Sequence, residues 1–304
     1  MLLTIALVLA QLAAWSTGRP AECGEPGGRA TNAWERAKSP ELRRYCDLVA
    51  SASSKLAGTS SMAEAALDVA HEADQVLPGH AAPLVLEGRA LVALGRLEPA
   101  LQALRAGKER DPSALDDPLA LRAWARVLAR TGHPEEAAEA YRALLPRSSA
   151  LSASERASAS IEAGLVAMAR GPSGLDEAAA ALREGLREAQ EEAPLGVLTL
   201  ALVLDRRGDS DEARALLAER ARLDPRATLE GLRAKDVLAV APAEGSALVA
   251  IGLESTDPAG AREAWQKYLD QAPNGPWAVQ AKARVVALGT GRARAQTTQT
   301  RRWP

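Results

Sequence analysis

AAPLVLEGRALVALGRLEPALQALRAGKERDPSA, residues 81–114, reads as two amphipathic helices joined at a glycine. Leu84, Gly88 and Leu91 share one face of the first helix, Gly95 closes it, and Ala100 and Leu104 lie on a second helix that ends before Pro112. Each landmark has a packing reason. Gly88 and Ala100 are small where two antiparallel helices cross closely, Gly95 suits the left-handed conformation of a helix end, and proline cannot continue a helix. Working outward, Ala66 and Ala100 are 34 residues apart, as are Pro78 and Pro112. A period of that length marks one helix pair repeated along the chain.

The next unit begins near Pro118, with Trp124, Ala125 and Leu128 on a first helix, the turn Gly132-His133-Pro134-Glu135-Glu136, and Ala137 and Tyr141 on a second. A looser unit takes Gly164, a longer turn at Gly171-Pro172-Ser173-Gly174, then Ala178 and Leu182 on a helix over Asp176 to Gln190. Ala201 and Leu204, the turn Gly208-Asp209-Ser210-Asp211-Glu212, Ala213, Leu217 and Asp224-Pro225 return to the pattern. The last pair runs from Gly245 to Glu254 and from Ala261 through Trp265 and Tyr268 to Pro273, followed by a terminal helix over Pro276 to Leu288. Arg226 to Ala241 holds an insertion of unread shape, and Asp47 to His80 is a degenerate repeat that Trp34 to Arg44 extends or precedes.

These positions resemble the tetratricopeptide-repeat (TPR) family over residues 34–288, with residues 81–114 and 194–227 the best repeats. The resemblance implies an all-α fold: a right-handed α-solenoid of antiparallel helix pairs, a TPR-like superhelix with a concave face lined by first helices. Ala125 departs from the pattern, where the family usually has glycine, and Pro146 falls early.

Composition agrees. The chain has 304 residues, 47% of them hydrophobic and 25% charged, and lacks phenylalanine. Ala, Leu, Arg and Glu are helix formers, and the balance suits a chain that buries a core. The formal net charge is −2, and four arginines sit in the last stretch, so the body is mildly acidic and lacks the basic footprint of a nucleic-acid binder. Residues 289–304, with Arg292, Arg294, Arg301 and Arg302 and no apolar period, read as a disordered basic tail.

At the other end, Leu2 to Ala14 is an apolar run too short to span a bilayer comfortably, and Ala14, Ser16 and Gly18 supply small residues for cleavage. Residues 1–18 read as a signal peptide, residues 19–33 as a linker, and the protein as exported, periplasmic or cell-envelope associated, with no integral span after removal; the other reading is an uncleaved anchor. Cys23 and Cys46 fit one disulfide in an oxidising compartment.

Enzyme chemistry finds no residues to carry it. His71, His80 and His133 are the only histidines and none pairs at i,i+4; Gly-x-Ser-x-Gly and phosphate-binding Gly-Lys-Ser/Thr motifs are absent. No metal or cofactor is expected. The resemblance instead implies protein binding in the concave groove, and projecting its groove positions selects Arg89, Arg122, Arg126, Arg130, Asp205 and Arg206. Arg122, Arg126 and Arg130 recur every four residues, hence on one helix face, and would pair with an acidic segment or a free carboxylate; the alternative is a solvated face of an Arg-rich protein. The Lys and Asn clamp by which family members hold a C-terminal carboxylate is not carried over, since the only asparagines are Asn32 and Asn274. Trp265 and Tyr141 match buried aromatic positions, while Trp124 and Trp277 are either packing residues or partner anchors. The function expected is a scaffold or adaptor of the bacterial cell envelope, with a self-associating structural subunit or an assembly chaperone as alternatives.

Overall fold

The computed structural model describes residues 20–23, 39–57, 60–189, 193–219, 223–234 and 242–300. The signal-peptide reading, Trp34 and the end of the tail lie outside these residues. The chain divides into two compact units, Met1–Leu151 and Ser152–Pro304. All regular structure among the described residues is helical.

The first unit holds three antiparallel pairs: α1 (Pro40–Leu56) with α2 (Ala63–Val76), α3 (Ala81–Ala93) with α4 (Leu97–Arg110), and α5 (Pro118–Arg130) with α6 (Pro134–Leu144). Pro118 and Pro134 occupy first helical turns, where the missing N–H costs nothing, and the Asp117 carboxylate accepts the Ala120 N–H at 2.9 Å. Pairs close tightly at small residues. A Cβ placed on Gly88 would stand 2.4 Å from Leu104 Cγ, so only glycine admits that leucine at the α3–α4 crossing. Fully buried Tyr45, Ala52 and Ala73 join Val49, Ala70 and Leu86 in the core between α1, α2 and α3. Cys23 and Cys46 are bonded, at an S–S distance of 2.03 Å, which fastens the short helical turn Ala21–Cys23 to α1.

The second unit pairs α7 (Ala153–Ala169) with α8 (Leu175–Glu188) and α9 (Pro194–Arg207) with α10 (Ser210–Ala218). It continues with α11 (Pro225–Ala234), the pair α12 (Pro242–Leu253) and α13 (Pro258–Gln271), and α14 (Ala278–Thr300). Ser152 and Glu155 form a reciprocal capping box that starts α7. The Gly88 crossing recurs: a Cβ on Gly164 would stand 2.4 Å from Leu182 Cγ. Gly208 ends α9 at φ 96°, the left-handed conformation that glycine adopts without strain. The core of this unit includes Leu182, Leu198, Leu202, Leu248, Trp265 and Tyr268.

The structure differs from the sequence reading in two places. Asp224 and Pro225 do not close the α9–α10 repeat but open a further helix, because the Asp224 carboxylate accepts the Arg226 and Ala227 N–H groups and Pro225 fits the first turn. That helix occupies much of the span read as an insertion. The terminal helix does not stop at Leu288 but continues to Thr300, so the expected tail is helical through that residue; nothing between Leu288 and Thr300 is a proline that would stop it.

Candidate functional site

In the first unit, α1, α3 and α5 are successive first helices and present one face side by side. Arg89 on α3 and Arg122, Arg126 and Arg130 on α5 all belong to this unit, and the four-residue spacing keeps the last three on one side of α5. Arg89 lies 3.9 Å from the Asp117 carboxylate and is largely enclosed. Arg122 is buried; Arg126 and Arg130 are half-buried. Burial holds the Arg130 guanidinium below the usual arginine range, and the neighbouring Arg126 charge pushes it the same way. Arg126 and Arg130 are thus like-charged neighbours, and none of the four arginines is without a partner within the chain.

The same unit holds a pit of about 200 Å³. Val49 on α1, Ala82 and Val85 on α3, and Ala120 on α5 give it an apolar lining, and Pro20 and Glu22 of the disulfide-tied turn form one wall. That wall is fixed. The Tyr45 hydroxyl donates to Glu22 at 2.7 Å, His80 Nδ1 stands 3.2 Å from the same carboxylate, and the Tyr45 and His80 rings touch at 5.2 Å between centroids. Burial pushes the Tyr45 hydroxyl well above the ordinary tyrosine range, and the Glu22 carboxylate adds to the rise. The other rim acids are also engaged: Asp111 accepts the Ser113 N–H and hydroxyl, and Asp117 caps α5.

The equivalent face of the second unit is filled from within. Leu198 and Leu202 of α9 are fully buried. The Asp205 carboxylate, its side chain 1% exposed, accepts from the Ser210 hydroxyl at 2.7 Å, from Gln280 Nε2 at 2.8 Å and from Arg284. Arg284 also donates to Glu254 at 3.1 Å, and Glu254 accepts the Trp265 indole N–H at 2.8 Å. Burial pushes the Glu254 carboxyl up, against the downward pull of Arg284 and Trp265. Gln280 and Arg284 come from α14, which thereby reaches across to α9.

Arg206 is accordingly not a groove residue open to a partner. Its side chain is 1% exposed, 2.7 Å from Glu244, with the guanidinium 4.7 Å from the centre of the Trp277 ring. Glu244 of α12 and Trp277 of the segment leading into α14 cover it. Trp277 therefore packs on an internal cation. Trp124 is buried in the first unit with Lys108 Nζ 5.4 Å above its ring, so neither tryptophan stands out as an exposed anchor. Trp265 and Tyr141 are core residues, each 2% exposed. His71 and His133 stand within 3.4 Å and 3.3 Å of Glu87 and Glu136. The pit was not foreseen; its only sequence signal is the cysteine pair, which does not say where the tethered turn lies. Among the described residues no cluster of three His, Cys, Asp or Glu could hold a metal ion, and no helix is long and apolar enough to cross a membrane.

Antiparallel pairs with glycine or alanine at the crossing, glycine in the turn and first helices side by side define an α-helical repeat fold. Solved structures similar to this chain include the TPR protein YrrB, described as having an unusual peptide-binding site, at 19% identity over 70% of this chain and 97% of that one, with a TM-score of 0.44. PilF of Pseudomonas aeruginosa is similar at 14% identity, over 80% and 99% of the two chains, with a TM-score of 0.48. The C-terminal part of a TPR repeat-containing protein from Cytophaga hutchinsonii shows 14% identity over 73% and 81%, with a TM-score of 0.40. No protein-family profile and no curated protein matches the chain.

Proposed function

We propose that this protein is an exported adaptor of the bacterial cell envelope that binds an acidic segment of a partner protein along the first-helix face of its first unit. The observation that carries the reading is the clustering of Arg89, Arg122, Arg126 and Arg130 on that face, where the pKa of Arg130 is depressed by burial and by Arg126. A carboxylate arriving at that face would accept paired guanidinium hydrogen bonds from side chains that also hold partners within the chain. The second unit supports the assignment by contrast, since its corresponding face is closed by Gln280, Arg284 and Trp277. Export is supported by the Cys23–Cys46 bond, because disulfides persist mainly in oxidising compartments, and by the apolar run Leu2–Ala14.

The test is fluorescence polarisation with a labelled glutamate-rich peptide. Arg126→Gln together with Arg130→Gln should weaken binding about tenfold, given roughly 0.7 kcal/mol for each half-buried charge pair, with helicity retained. Binding should also fall with added salt. A double variant that holds the peptide as tightly as the parent returns the stripe to an ordinary solvated face. Fractionation of the producing cell, with thiol alkylation before and after reduction, tests export and the disulfide together.

A further inference from the structure

We propose that the pit of the first unit is a small-molecule site whose ligand is a free organic amine, a protonated nitrogen carried on a compact apolar body of about six carbons. This does not rest on the adaptor reading, since Arg122, Arg126 and Arg130 play no part in it. The pit takes its lining from α1, α3, α5, the tethered Pro20–Glu22 wall and the turn that Asp111 opens. A hollow bounded on so many sides suits a compact molecule better than an extended chain. Its size sets the body of the ligand: about 200 Å³ exceeds the roughly 150 Å³ that admits a benzene ring in an apolar protein cavity. Val49, Ala82, Val85 and Leu86 supply the apolar surface.

Charge sets the head group. The lining carries the carboxylates Glu22, Asp111 and Asp117 and the guanidinium groups of Arg89 and Arg110. Both guanidinium groups already face acids. Arg89 stands 3.9 Å from Asp117, and Arg110 stands 3.5 Å from Asp74 and donates to the His80 carbonyl at 3.1 Å. The negative excess therefore falls on Glu22 and Asp111, with His80 the one further basic group at the rim. Each of these two acids spends a single oxygen on the chain itself. Glu22 Oε1 accepts the Tyr45 hydroxyl and lies by His80, and Asp111 Oδ1 accepts both the N–H and the hydroxyl of Ser113. Among the described residues, Glu22 Oε2 and Asp111 Oδ2 hold no hydrogen bond or ion pair. Carboxylate oxygens without donors beside apolar surface are the complement of an ammonium group, which brings three donors and a positive charge. The Cys23–Cys46 bond and the Tyr45 hydrogen bond hold Glu22 in place before a ligand arrives, so little ordering is left to be done on binding.

The experiment titrates the full chain with four probes, cyclohexylamine, cyclohexanol, cyclohexanecarboxylate and methylamine, followed by amide NMR shifts at about pH 8, where an amine is protonated and histidine ordinarily is not. Cyclohexylamine should bind about fivefold more tightly than cyclohexanol, the worth of an ion pair to a carboxylate that, like Glu22 at 25% exposure, is only partly screened. It should bind at least about tenfold more tightly than methylamine, which has no apolar body to bury, and cyclohexanecarboxylate should bind most weakly. The shifts should centre on Ala82 and Val85. Ala82→Leu, which fills the pit, should abolish them. Glu22→Gln with Asp111→Asn keeps acceptors for Tyr45 and Ser113 while removing the charge, and should bring the amine down to the affinity of the alcohol. An alcohol or carboxylate that matches the amine on the parent overturns the head-group assignment and with it the proposal. Methylamine binding as well as cyclohexylamine, shifts centred away from the pit, or no binding by cyclohexylamine overturns the site itself. These comparisons are made on the parent, so they decide the matter even where a variant fails to fold.

Discussion

Replacing Glu244 with leucine removes the carboxylate that stands 2.7 Å from Arg206, a guanidinium whose side chain is 1% exposed. The pair is close but poorly aligned, since Arg206 Nε and both Nη atoms lack an acceptor at hydrogen-bond geometry, as Glu244 Oε2 lacks a donor. Attraction between the two charges and the Trp277 ring 4.7 Å away therefore carry most of the compensation for burying the cation. Breaking a buried pair from one side costs about 3–5 kcal/mol, because the remaining charge is left uncompensated. Glu244→Leu should fall in that range. Arg206→Met should cost less, about 1–2 kcal/mol, because Glu244 is 14% exposed and can turn toward water. The double variant should lie within about 1 kcal/mol of the parent, since a well-packed apolar pair of similar volume is often as stable as the ion pair it replaces. The measurement is a double-mutant cycle by urea unfolding, followed by circular dichroism, with amide exchange of α9 reporting local opening. Single substitutions whose costs simply add in the double variant, or a Glu244→Leu cost below about 0.5 kcal/mol, refute the account of Arg206 as a paired interior cation.

Gly88→Ala and Gly164→Ala each bring a methyl to 2.4 Å from a leucine Cγ, and should lose about 1–2 kcal/mol net of the gain in helix propensity. Gly231→Ala, with nothing within 4 Å, should be neutral or stabilising by up to about 1 kcal/mol, all three variants being compared by thermal melts. Reducing Cys23–Cys46, whose partners are 23 positions apart, should cost the first unit about 3 kcal/mol by loop-closure entropy; an unchanged melting curve with and without reductant contradicts this. Tyr45 has its folded pKa raised above its unfolded value of about 10, so the neutral hydroxyl is favoured in the folded chain and stability falls as pH climbs past about 10. Tyr45→Phe should lower stability at neutral pH by about 1 kcal/mol and flatten that alkaline decline, as seen in denaturation midpoints across the range.

The helix pairs were legible because their markers are local. Gly88 with Ala100 and Leu104, and Gly164 with Ala178 and Leu182, repeat one crossing at nearly one spacing, and Gly95, Gly132 and Gly208 take positive φ at the turns between paired helices. What escaped the sequence depends on residues far along the chain. The i,i+4 pattern placed Arg122, Arg126 and Arg130 together, but nothing near Arg206 announces that Glu244 and Trp277 will enclose it. Pro225 illustrates the same limit: proline ends one helix or begins the next, and only its burial against Gly252 of α12 shows which it does here. The cysteines foretold a bond, whereas the placement of Pro20 and Glu22 over α1 and α3 required the packed positions of Tyr45 and His80.

The face of α9 is closed by the chain's own side chains, so on the proposed reading the face of α1, α3 and α5 would set the length of a bound segment. Neighbouring helices pack about 9–10 Å apart, so three of them span about 20 Å, and an extended chain advances about 3.3 Å per residue. A ligand of roughly six residues covers that distance. Motifs so short lose much of their contact energy to ordering and tend toward micromolar affinity and rapid release. A receptor of this reach would, on the proposed reading, exchange its partners quickly and hold one for long only where several copies are presented together.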